Sequence, residues 1–186
     1  APASVSTATR AEITARQARF VDQVLNTAPG LLVFRAKGAQ DTNAGVGMRG
    51  FSGRGSGQAR VLVLVDGQPV NDSYTGQVNW TTLPIDEVDR VEVVRGSFSS
   101  LYGGNAMGGV VNVLTRPVTT RQVELHGGLG NQASTRYGAR VADRFRQRLG
   151  LSLAYDRQQT GGYPSQFVVS AGSTGSRFSR TALGLP

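Results

Sequence analysis

The sequence predicts a small α+β domain over residues 1–116, followed over residues 117–186 by antiparallel strands patterned like a barrel wall and too few to close it. Three observations lead there. Glycine is abundant, at 25 of 186 residues, which favours tight turns and close backbone packing over long helices. The first 116 residues interleave short helical and short strand signals, the grammar of an α+β unit. After Pro117 the polarity alternates residue by residue through three successive segments of about ten residues.

Taken in order, Ser4-Val5-Ser6-Thr7 reads as a short strand. Thr9-Arg10-Ala11-Glu12 carries the T-x-x-E spacing of a capping box, which satisfies orphan N–H groups and starts a helix. Ala18, Val21, Val24, Leu25 and Ala28 then fall on one face of a second helical stretch, stopped by Pro29-Gly30. Leu31 to Phe34 is a short apolar strand. From Arg35 to Gln58 the text is loop-like, rich in Gly, Ser, Asn and Arg, with a strand expected at Gly47-Met48-Arg49-Gly50. Arg60 to Val65 is the clearest strand, and Asp66-Gly67 after it signals a hairpin because both residues tolerate positive φ. A polar loop tipped with aromatics runs from Asn71 to Trp80. Pro84 to Val88 reads as one helical turn, with Asp86 and Glu87 near its amino end, where the dipole favours them. Val91 to Gly96 is a strand, Ser99 to Tyr102 a turn, and the glycine-rich run 103–109 leads into a last strand, Val110 to Thr115.

In the tail, Val123, Leu125 and Leu129 stand opposite Gln122, Glu124 and His126. Tyr137, Ala139, Val141 and Phe145 stand opposite Arg136, Gly138, Arg140 and Arg144. Leu149, Leu151, Leu153 and Tyr155 stand opposite Arg148, Gly150, Ser152 and Asp156. Alternation with aromatics near the segment ends is what a transmembrane barrel needs, with lipid outside and a polar lumen. The same pattern fits a soluble antiparallel sheet with one wet face.

Composition excludes several functions. There is no cysteine, hence no disulfide scaffold or thiolate metal site, and His126 is the sole histidine, hence no catalytic triad or multi-histidine centre. Gly53-Arg54-Gly55-Ser56-Gly57 precedes a strand rather than a helix, and no Gly-Lys-Ser/Thr occurs, so the phosphate-loop reading falls. The longest apolar run, Val61 to Val65, is far short of the ~20 residues of a spanning helix. No signal peptide opens the chain, so an exported protein is expected to be present in a mature or trimmed form. The net charge of +8 suggests nucleic acid, and a basic, soluble, β-rich nucleic-acid-binding module is the alternative function. Against it, residues 1–116 hold 11 basic and 9 acidic side chains, while 117–186 hold 9 and 3. The excess is thus spread along alternating strands rather than gathered on one helix or loop.

Four stretches carry a resemblance: Val46 to Phe51, Val61 to Asn71, Leu83 to Gly96, and Ser99 to Thr115, the last reading SSLYGGNAMGGVVNVLT. In their order and spacing they resemble the plug domain of TonB-dependent outer-membrane receptors, and the likeness covers residues 3–116 almost continuously. The resemblance implies an α+β plug with a small mixed sheet, filling the lumen of a β-barrel whose first three or four strands are residues 117–186, the barrel being incomplete. Those strands, alone in water, are expected to be disordered, collapsed or paired with another chain. It also implies energy-coupled uptake of a ferric siderophore, haem, cobalamin or similar scarce substrate across the bacterial outer membrane, with the plug facing the periplasm. The implied partners are TonB (through a segment upstream of the first strand), a metal chelate or vitamin ligand, and outer-membrane lipid. No catalytic residue, resident cofactor, metal ligand or nucleic acid is implied. By the same resemblance, Arg49, Glu92 and Arg95 occupy positions of a charged cluster between plug and barrel. Outward plug loops offer Arg35, Arg54, Tyr74 and Trp80 as cationic and aromatic ligand contacts.

Overall fold

The computed structural model describes residues 4–35, 41–52, 60–131, 133–145 and 149–161. Strand β1 (Ser4–Thr9) runs into helix α1 (Arg10–Ala15), and the capping box forms: the Thr9 hydroxyl accepts from the Glu12 amide while the Glu12 carboxylate accepts from the Thr9 amide at 2.8 Å. Helix α2 (Val21–Leu25) buries Val21, Val24 and Leu25, the stripe expected from their spacing. Then follow β2 (Leu31–Phe34), β3 (Gly45–Met48) and β4 (Phe51–Ser52), which form one small antiparallel sheet in that order. The strand expected at Gly47–Gly50 ends at Met48. Arg49 (φ 54°) and Gly50 (φ 83°) are instead the two positive-φ residues of a tight hairpin turn between the paired Met48 and Phe51.

A second turn of the same kind, Asp66 (φ 48°) and Gly67 (φ 83°), joins β5 (Val61–Val65) to β6 (Gln68–Pro69). Single 3₁₀ turns follow at Trp80–Thr82 and Ile85–Glu87. The remaining elements of the α+β domain are β7 (Val88–Arg95), the one-turn helix α3 (Ser99–Tyr102) and β8 (Gly109–Thr115). The main sheet has the order β1-β7-β8-β5-β6, with β5 and β8 parallel and its other pairs antiparallel. It is the mixed sheet the sequence predicts. An unbroken apolar strand suits the interior of such a sheet because both of its faces are covered. Accordingly Val61 and Val63 enter the large core with Val91, Val111 and Trp80, while Leu62 and Leu64 pack on the other face with Ala106, Val110 and Phe98.

The tail forms β9 (Gln122–Gly130), β10 (Ser134–Phe145) and β11 (Leu149–Gln159), an antiparallel sheet in the order β11-β10-β9. The alternation divides its faces as expected. Leu125, Leu129 and Leu153 are 79%, 90% and 76% exposed on the outer side, while Arg140 and Ala142 are buried on the inner side. Within the described residues β9 and β11 each pair on one side only, and no helix there is long and apolar enough to cross a membrane.

Candidate plug–wall joint

The polar face of the three tail strands is tied to the α+β domain at one turn, residues 84–88. Pro84 sets its entry and the 3₁₀ geometry of Ile85–Glu87 buries Ile85 while turning Asp86 and Glu87 outward. Arg136 on β10 donates through Nη2 to Asp86 Oδ2 at 3.0 Å and through Nε to Asp156 Oδ2 on β11 at 2.8 Å. His126 on β9 lies 2.8 Å from Asp156 Oδ2 and 3.5 Å from Asp86 Oδ2 through its Nε2. Because a carboxylate oxygen only accepts, Nε2 carries the proton in the shorter contact. Four residues further along β10, Arg140 donates through Nε to Glu87 Oε1 at 3.0 Å and through Nη1 to Gln122 at 3.1 Å; Ser152 Oγ donates to Glu87 Oε2 at 3.3 Å.

Two further arginines complete the network from the domain side. Arg10 donates through Nη1 to the carbonyls of Ile85 (2.8 Å) and Val88 (3.3 Å), and its Nη2 lies 3.9 Å from Asp86 Oδ1. Burial, then the nearby Arg116 guanidinium, pull the Arg10 guanidinium below its ordinary pKa. Arg116 forms a two-pronged pair with Glu124 on β9, at 2.7 and 2.5 Å, and this hydrogen-bonded carboxylate raises the Arg116 pKa. Asp86, His126 and Asp156 bring their donor atoms within 4.8 Å of one another, a spacing that could hold an ion. The cation placed there is the guanidinium of Arg136, bonded to both carboxylates.

Arg49, Glu92 and Arg95 are not among the residues of this joint. Arg49 stands exposed in the β3–β4 turn. Glu92 pairs with Arg90 at 2.8 Å, and Arg95 donates to Ser4 Oγ, Ser6 Oγ and the Pro29 carbonyl, fastening β1 within the domain. Both sides supply both charges: the domain brings Asp86, Glu87, Arg10 and Arg116, and the strands bring Arg136, Arg140, Glu124 and Asp156. Sequence reading placed Glu124, His126, Arg136, Arg140 and Asp156 on polar faces. It could not pair them with residues 86 and 87, because that needs the register of three strands and their seat on the domain.

The expected ligand contacts are scattered. Trp80 is a correction: its ring is 1% exposed in the core, and its indole N–H donates to the Ala44 carbonyl at 2.8 Å, as a buried indole requires. Arg35 is a second correction, since its guanidinium is engaged within the domain. It grips the fully buried Asp22 through Nε (2.6 Å) and Nη2 (2.7 Å), donates to the Asp41 carbonyl, and stacks 4.1 Å above the Phe20 ring. Tyr74 is 89% exposed at the tip of its loop, and Arg54 lies outside the described residues. That loop is held from beneath by Asn71, whose side chain accepts from the Val63 amide and donates to the carbonyls of Val61 and Gly76. Asp72 caps it, accepting from the Thr75 amide, the Thr75 hydroxyl and the Tyr74 amide; the two Thr75 bonds are the main causes that lower its pKa, against an opposing desolvation.

Residues 1–110 match the family described as TonB-dependent Receptor Plug Domain. The chain is 27% identical over 183 residues to the Vitamin B12 transporter BtuB of Vibrio vulnificus, covering 98% of this chain and 29% of that protein. It is 31% identical over 141 residues to the Vitamin B12 transporter BtuB of Photobacterium profundum, covering 75% and 22%. In fold it resembles the ferric yersiniabactin uptake receptor FyuA of Yersinia pestis, with a TM-score of 0.67 and 24% identity over 84% of this chain and 24% of that one. It likewise resembles the siderophore receptor PirA of Pseudomonas aeruginosa, at 0.60 and 26% over 84% and 28%. The chain thus spans under a third of the length of these relatives. The matching residues, the mixed sheet and the strands that follow it agree: this chain belongs to the TonB-dependent receptor plug family, the plug being joined to antiparallel wall strands.

Proposed function

We propose that the chain is the gate and the first wall strands of an outer-membrane receptor that takes up a scarce substrate, a metal chelate such as a ferric siderophore or haem, or a corrinoid such as cobalamin. The observation that carries this is the two-sided tail sheet. Its outer face is apolar and exposed, as lipid contact needs, and its inner face is bonded to a plug-family domain. A nucleic-acid module would have no use for that division, since its arginines would face solvent rather than Asp86, Glu87 and Asp156. TonB is the proposed energising partner, acting on chain ahead of β1, and the proposed role is transport rather than catalysis. Tyr74 is the proposed ligand contact of the 71–79 loop, with Arg54 proposed as its cationic complement.

The test uses the whole receptor gene. A deletion strain is grown on single sources of iron or corrinoid, and the detergent-folded receptor is titrated with each compound. The expected result is one substrate class that binds saturably and whose use is lost with the gene or with TonB. Equal growth on every source, together with no saturable binding, would overturn the reading.

A further inference from the structure

We infer that the wall recognises the plug through a composite receptor for the Asp86 carboxylate, spread over three strands, and that Gly138 is the position that lets it form. His126, Gly138 and Asp156 are register partners across β9, β10 and β11. Outer strands of such a trio lie two spacings apart, about 9.6 Å, and a side chain on the central strand would stand between them. At Gly138 there is none. A Cβ built there would lie 2.5 Å from His126 Cε1, 2.6 Å from His126 Nε2 and 2.5 Å from the Tyr155 carbonyl. The imidazole therefore lies across the central strand and reaches Asp156. Arg136, two residues earlier on the same face, bonds Asp156 and Asp86 together. One residue from each wall strand thus closes a ring around one plug carboxylate, whose other oxygen faces Arg10.

The ring forms in one register only. A slip of one residue turns each side chain of a strand to the opposite face. A slip of two sets Arg136 or Arg140 against His126 and closes the gap that Gly138 leaves. Plug docking and wall alignment are therefore coupled: the turn at residues 84–88 seats fully only on a wall whose first three strands are in register. The inference rests on reading β9–β11 as wall strands and is independent of the substrate carried.

The test compares the full chain, folded in detergent micelles, with its His126→Gln, Asp156→Asn, Gly138→Ala and Gly128→Ala variants. Two signals are read: the imidazole resonance of His126, the sole histidine, and amide exchange at residues 85–88. Exchange at Val91 and Val93, in the plug core, reports that each variant has folded. Each of the first three variants is expected to speed exchange at residues 85–88 by about tenfold. The His126→Gln/Asp156→Asn double is expected to go no further than either single, because the members act as a unit. Gly138→Ala should move the imidazole resonance, whereas Gly128→Ala, whose added Cβ meets nothing within 4 Å, should alter neither signal. Unchanged exchange in His126→Gln and Asp156→Asn, or effects that simply add, would mean that Arg136 holds Asp86 by itself and would overturn the composite. An unmoved imidazole in Gly138→Ala would overturn the role of the glycine.

Discussion

Removing the Glu87 charge should weaken the joint more than removing both charges of its pair. The Arg140 side chain is 1% exposed, Glu87 is its single carboxylate contact, and its Nη2 lacks a hydrogen-bond partner among the described residues. Glu87→Gln leaves the buried guanidinium without the carboxylate it bonds, Glu124 across the strand acting on it only at longer range. Breaking such a pair costs about 3–5 kcal/mol. The Glu87 side chain is 15% exposed, and glutamine can still accept from Arg140, so the low end applies, about 3 kcal/mol. In the Glu87→Gln/Arg140→Met double the stranded charge is gone and a flexible apolar side chain of similar length fills its place. The cost should then fall to about 1 kcal/mol, since apolar replacement of a buried pair is often near neutral. The assay is urea unfolding in detergent micelles, followed by the fluorescence of Trp80, the one tryptophan and fully within the plug core. A double variant as unstable as Glu87→Gln would show that the unpaired guanidinium is not the source of the loss and would refute the reasoning.

Arg35→Lys keeps the charge but loses the fork on buried Asp22 and the stacking on Phe20; a loss of about 2–3 kcal/mol is expected by chemical denaturation. Asn71→Asp exchanges the two donors on the Val61 and Gly76 carbonyls for acceptors, and should speed proteolysis of the 71–79 loop while costing about 1–3 kcal/mol in unfolding. Tyr74→Ala, at a side chain mostly in solvent, should shift stability by less than about 0.5 kcal/mol, yet lower substrate affinity of the whole receptor in titration. Glu12 is held below the ordinary glutamate range, first by the Thr9 amide and then by the Thr9 hydroxyl. A lowered folded-state value means stability present above about pH 4.3 and lost as pH falls through the folded value. The protection of the α1 amides, relative to their intrinsic exchange rate at each pH, should therefore fall on acidification below that range, and the fall should vanish in Glu12→Gln.

Much of the architecture was legible because local chemistry determines it. T-x-x-E starts α1, Asp66-Gly67 turns a hairpin, an unbroken Val61–Val65 run demands a strand covered on both faces, and period-two polarity marks β9–β11 with an apolar and a polar side. The end of β3 was displaced because Arg49, an ordinary strand residue by type, adopts positive φ beside Gly50. Trp80 and Arg35 looked like ligand contacts because loop position and residue type carry no information about burial. The fold turns the indole onto the Ala44 carbonyl and brings Asp22, thirteen residues away in sequence, beneath the guanidinium.

By itself the sequence determined the elements of the α+β domain and the two faces of the tail strands, since each follows from neighbours in the chain and from periodicity, while the plug was read from the resemblance of its motifs. The tertiary structure decided where plug meets wall. Asp86 and Glu87 find partners forty to seventy residues away, and those partners converge only through strand register and the missing side chain at Gly138. An ion pair between distant residues depends on angstrom-scale approach, which no local pattern encodes.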